Sequence, residues 1–280
     1  MPIHDQGYRR YSGRRGLRGG AWWVIARATI LSEMRQRRVI ALLLLAWAPF
    51  LVRAVLIYAA ANFQQASSVI GTTPQTFREF LDWQNVFVFF VTILIGAPLI
   101  ADDRRANALQ IYLAKPLTRV EYIVGKLAVL FAFLAFVTWV PAMLLVLLQV
   151  LFAGSLEFLT NNLFILPAIT LFSLLQIFVS AFAMLALSSL SPSRRFVAMM
   201  YAGIIFFTSA MNTALSRITD SRSWAWISPN DTLDVLADAM FRLATPRAIP
   251  VPLAVGAIVV LVAGSMLVLE RRVRGVEVVS

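Results

Sequence analysis

The chain has 280 residues, of which 60% are hydrophobic and only 14% charged, with a mean hydropathy of +0.78. A water-soluble domain carries roughly a quarter of its residues as charges, so neither a soluble globule nor a disordered chain fits. Basic residues nevertheless exceed acidic ones by 11, so where the bases sit should reveal orientation. There is no cysteine, which removes disulfides, thiolate metal sites and cysteine nucleophiles together. The one histidine, His4, lies in a polar stretch near the N-terminus. No imidazole is left for a metal site or a Ser-His-Asp triad inside a membrane.

Residues 1–20 read as a flexible basic tail rich in glycine and arginine. Such a tail enforces topology and touches anionic lipid, at ~1 kcal/mol per basic residue near the surface. Arginine-glycine tails also bind RNA, but one short tail on so apolar a chain does not support a nucleic-acid partner. Residues 21–280 read as a single transmembrane domain, opening with AWWVIARATILSEMRQRR. That segment changes polarity along its length, with Trp22 and Trp23 suited to the headgroup boundary and Arg35, Arg37 and Arg38 suited to phosphates. It is expected to be an interfacial elbow helix.

A bilayer core ~30 Å thick needs about 20 apolar residues per helix. Six segments qualify, at about 39–61, 84–101, 123–153, 163–190, 196–215 and 251–269. The fold class is therefore an all-α integral membrane protein of six transmembrane helices. Pro49, Pro98, Pro141 and Pro167 fall in or near them, and neighbouring helices can absorb the kinks. Of the 25 basic residues, 19 fall on the side of the two termini and the links after spans 2 and 4, and five on the other side. The positive-inside rule then places both termini in the cytoplasm, in a multi-pass protein of the inner (cytoplasmic) membrane.

The link between spans 2 and 3 is the most informative stretch. Asp102 and Asp103 are expected to open a helix, where acids suit the dipole. Ala108, Leu109, Tyr112 and Leu113 share one helical face, and Pro116 ends it. Thr118 with Glu121 three residues later forms a capping box for a second helix, running through Tyr122 and Gly125-Lys126 into span 3. These residues describe a short amphipathic helix joined to two membrane helices. Docking onto another protein and packing on its own bundle are equally open for it.

The segment resembles the corresponding stretch of the type-2 ABC exporter permeases. Asp103-Arg104-Arg105, Ala108-Leu109, Tyr112-Leu113, Pro116-Leu117-Thr118-Arg119, Tyr122 and Gly125-Lys126 carry the resemblance, and the six-span layout and elbow extend it over most of the chain. The resemblance implies a coupling helix seated on a separate ATP-binding subunit, with Asp103, Arg104, Arg105, Leu109, Tyr112 and Leu113 as the coupling residues. The chain contains no Gly-x-x-x-x-Gly-Lys-Ser/Thr phosphate loop, so the resemblance puts ATP and Mg on that partner and no cofactor on this chain. It further implies two ATP-binding subunits and a second permease subunit, in a homo- or heterodimer, with the substrate path between them. A non-transporting scaffold that transmits mechanical force to an extracytoplasmic partner is the alternative function.

Between spans 5 and 6, residues 216–250 form the long outer loop. Ser228-Pro229-Asn230-Asp231 reads as a helix start, with Ser228 or Asp231 as cap, and Trp224 and Trp226 suit an interface. The helix is expected either to lie as a lid on the outer leaflet or to serve as an outer gate or dock for an extracytoplasmic partner. Asp231, Asp234 and Asp238 are expected to form its solvated face rather than a metal site. Within the spans, Arg53 stands alone as a charge: snorkelling or an intrahelical partner on one reading, pathway lining on the other. Gln149, Gln176 and Asn212 are expected to hydrogen-bond between helices.

Overall fold

The computed structural model describes residues 20–63, 73–107, 118–153, 157–244 and 249–273. Among these residues the fold is helical, without strands. Six helices are long and apolar enough to cross a membrane: span 1 (Arg37–Asn62), span 2 (Pro74–Arg105), span 3 (Arg119–Ala153), span 4 (Ile165–Leu190), span 5 (Arg194–Ile218) and span 6 (Val251–Arg272). An elbow helix, Ala21–Glu33, precedes them, and an outer helix, Pro229–Met240, lies between spans 5 and 6.

Span 2 begins ten residues earlier than the sequence suggests, taking in Arg78, Glu79 and Asp82. Its far end closes with a capping box between Thr73 and Thr76.

Three spans break where proline removes a backbone donor. Span 1 interrupts at Trp47, ahead of Pro49, and Gln84 Nε2 donates to the Ala46 carbonyl at 3.1 Å. Span 3 interrupts at Thr138, ahead of Pro141. Span 2 widens to a π-turn at Thr92–Gly96, just before Pro98. Here Ser188 Oγ of span 4 accepts from the Ile100 and Ala101 N–H groups at 3.1 and 3.0 Å and donates to the Ala97 carbonyl at 2.8 Å. A polar side chain from a neighbouring helix thus serves backbone groups at the kink, as lipid cannot. Gly96 is required beside it, since a Cβ there would fall 2.4 Å from Met184 Cγ.

Span 4 is the central element. Its C-terminal half packs with Val91, Ile95, Leu130 and Leu134, its N-terminal half with Phe77, Phe80, Leu145 and Ile258. Gln176 on it donates to Asn85 of span 2, as expected of an interhelical polar contact. In their most apolar windows, span 4 buries 67% of its residues and spans 5 and 6 only 11% each, so the last two line the bundle's periphery.

The outer helix is not a lid lying on the bundle. Thr232, Leu233, Val235, Leu236, Ala237 and Asp238 are all buried, which leaves it no broad free face. Leu233 and Leu236 join the core with Phe172 and Ile258. Pro229 and Asn230 at its start share a cavity wall with Val179 and Leu261. Those two residues lie about 21 and 15 Å along spans 4 and 6 from their far ends, at 1.5 Å per residue. The helix therefore dips N-terminus first into the bundle. Ser228 caps it, accepting from the Asp231 N–H at 3.3 Å.

Candidate functional site

The site lies where span 2 ends and span 3 begins. Asp102 and Asp103 do not open a helix, as the sequence suggested; they sit in the last turn of span 2, which continues to Arg105. Asn107 then leaves the helix at φ 52°, a left-handed conformation that asparagine tolerates. Arg104 and Arg105 in this turn suit the negative end of the helix dipole; an acid there does not.

Asp103 is held in place by span 3. Its Oδ2 accepts from Lys126 Nζ at 2.7 Å and from the Tyr122 hydroxyl at 2.7 Å. Lys126 is 7% exposed, and its ammonium lies 5.5 Å from the centroid of the Tyr122 ring. The start of span 3 is fixed as expected: Thr118 Oγ1 accepts from the Glu121 N–H at 3.2 Å, and Glu121 Oε2 accepts from the Thr118 N–H at 3.0 Å. The two stems of the link are thereby clamped to each other by one carboxylate, one ammonium and one phenol. Charge-assisted bonds of this kind are the stronger ones.

Further contacts tie the clamp to the rest of the basic end. Arg104 Nη1 donates to the Ser189 carbonyl at the end of span 4. Arg194 at the start of span 5 faces Asp102 at 3.4 Å, a half-exposed pair worth at most about 1 kcal/mol. The elbow helix packs on span 3 at Gly125, where a Cβ would fall 2.9 Å from the Trp22 carbonyl oxygen and 3.2 Å from Ile25. Glu33 at the end of the elbow accepts from Gln36 Nε2 at 2.7 Å. Burial raises its carboxyl above the usual value, against the pull of Arg38; the field of Asp102 adds to the rise, while Arg194 and Lys126 oppose it.

Of the residues singled out in the sequence, Asp103, Arg104 and Arg105 belong to this end of span 2, with Arg105 exposed. Leu109, Tyr112, Leu113 and Pro116 lie outside the described residues. Arg53 sits far from the clamp. Its guanidinium meets Glu79 Oε2 of span 2 at 2.7 Å and lies 5.8 Å from the Trp83 ring centroid, so its partner is interhelical rather than intrahelical.

Sequence reasoning missed a second ionic cluster. Arg78, 4% exposed, binds Asp82 on its own helix and, on the outer helix, Asp234 at 2.9 Å and Asp238 at 3.1 Å. Asp234 and Asp238, expected on a solvated face of the outer helix, are thus turned inward onto a guanidinium. The recoverable signal was the i, i+4 spacing of Asp234 and Asp238, which puts both carboxylates on one helical face.

Six apolar spans, with the end of span 2 clamped to the start of span 3, define a polytopic membrane protein. A family model described as ABC-2 family transporter protein matches residues 23–273, and the chain belongs to that family. It is a membrane permease of an ABC transporter, and family membership implies association with an ATP-binding subunit and dimerisation. No match was found among curated proteins.

Proposed function

We propose that this chain is the transmembrane subunit of an ABC exporter of the cytoplasmic membrane, driven by ATP hydrolysed on a separate subunit. The carrying observation is the clamp of Asp103 to Lys126 and Tyr122. A force applied to residues 108–117 reaches spans 2 and 3 through these two stems together, and reaches spans 4 and 5 through Arg104 and Asp102. Leu109, Tyr112 and Leu113 are the proposed contacts to the ATPase, with Arg105 at the edge of that surface.

Both termini and the links after spans 2 and 4 face the cytoplasm in this proposal, following the excess of basic residues at that end. The elbow helix lies at the cytoplasmic interface. Two permease subunits and two ATP-binding subunits make the working unit, with ATP and Mg bound by the latter. Arg53, paired with Glu79, is the candidate charge bordering the route at the outer end.

The test is reconstitution in vesicles of the ATP-binding subunit with and without this chain. Vanadate-sensitive ATP hydrolysis is expected to rise when the permease is present and to fall back in Asp103→Asn. A hydrolysis rate indifferent to the permease contradicts the proposal.

A further inference from the structure

Spans 4, 5 and 6 do not close on one another where the outer helix enters. A cavity of about 260 Å³ remains, walled by Val179 and Leu190 of span 4, Tyr201 of span 5, Gly264 of span 6 and Asn230 of the outer helix. None of its lining residues is charged. Gly264 is part of that wall, and a Cβ built on it would meet no atom within 4 Å, so a larger side chain has room there. From Val179 to Leu190 the wall runs about 16 Å at 1.5 Å per residue, so the space is elongated.

The lining suits neither ions nor water. A buried water needs two to four polar partners, and this wall is nearly all aliphatic, with scattered hydroxyl and amide groups. A compact polar solute would forfeit its hydrogen bonds along most of that length. Spans 5 and 6, which form two of the walls, are the least buried in the bundle, so the cavity is bordered by the helices nearest the surrounding hydrocarbon. We propose that this cleft is a binding site for a single unbranched hydrocarbon chain of a membrane amphiphile. The site is separate from the clamped link, so the proposal does not depend on how the protein is coupled to ATP.

Photolabelling tests it. The full-length protein is reconstituted in vesicles containing a fatty acid with a mid-chain diazirine, irradiated, digested and mapped by mass spectrometry. Label is expected on the peptide spanning Val179–Leu190 and on span 6 around Gly264, above the level on exposed Val52 of span 1. Gly264→Phe fills the void and is expected to abolish labelling there while leaving Val52 unchanged; Gly264→Ala retains it. Ala183→Phe, from the wall on span 4, gives the same loss should Gly264→Phe fail to insert. Labelling that is uniform over exposed spans, or unaltered by both phenylalanine variants, overturns the proposal and assigns the signal to surrounding lipid.

Discussion

Arg78 on span 2 and Asp238 on the outer helix, 160 positions apart in the chain, meet at 3.1 Å with 5% and 11% of their side chains exposed. With Asp234 at 2.9 Å, this pins a re-entering helix to a membrane helix. Removing one partner of a buried pair costs about 3–5 kcal/mol, because the remaining charge keeps its burial but loses its match. Arg78→Ala is therefore expected to lower the melting temperature in detergent clearly more than Asp82→Ala, whose carboxylate is 43% exposed. Arg78→Lys should rescue only partly, since an ammonium lacks the guanidinium fork that reaches several carboxylates at once. Equal melting of the Arg78→Ala and wild-type proteins would refute the role.

Asp103 and Lys126 make a similar prediction at the opposite end. Asp103→Asn and Lys126→Met each break the clamp and are expected to lower stability, with a ceiling near the same ~3–5 kcal/mol for a buried pair. The double variant Asp103→Asn/Lys126→Met should cost less than the sum, as contacting residues do not add. A double-mutant cycle of thermal unfolding checks it; strict additivity would mean the two groups are not coupled.

Gly125 marks the closest approach of the elbow helix to span 3. A methyl group there meets the Trp22 carbonyl at 2.9 Å, which is backbone and cannot rotate away. Gly125→Val should displace the elbow and destabilise by about 1–3 kcal/mol, as overpacking does. Limited proteolysis is the readout: cleavage within 21–36 should accelerate in Gly125→Val and stay unchanged in Gly203→Val, where a Cβ has open space.

Glu33 gives a pH dependence. Its folded-state pKa lies above the unfolded value because burial disfavours the charged form. The folded state then binds more protons than the unfolded one, so stability from this group is full at low pH and is lost as pH rises through the raised pKa. Glu33→Gln should flatten the fall in melting temperature that begins above pH 4.5, the ordinary value of this carboxyl. A variant whose melting curve tracks the wild type from pH 4 to 7 would contradict this.

What was legible in the sequence follows from the range of the interactions. The Thr118–Glu121 box and the Ser228 cap are three-residue features, so spacing alone reveals them. The spans are legible because hydrocarbon selects for apolar composition. Span 2 was the exception: Arg78, Glu79 and Asp82 depress the apolar signal of its first turns. They are tolerated there because Asp234, Asp238 and Arg53 come in from other helices, which no local window contains. Asp102 and Asp103 were misread for the same reason. The pattern of an acidic helix start is local, whereas the Lys126 and Tyr122 groups that stabilise Asp103 at a helix end arrive from the next span.

In the proposed mechanism, residues 108–117 carry the work of a separate ATPase into the clamped stems of spans 2 and 3. Affinity purification of the permease from membranes co-expressing its ATP-binding subunit tests it most directly. Leu109→Asp is expected to insert at wild-type levels and to lose the ATPase, together with any hydrolysis stimulated by the permease. Undiminished retention of the ATPase by Leu109→Asp would contradict a coupling role for residues 108–117.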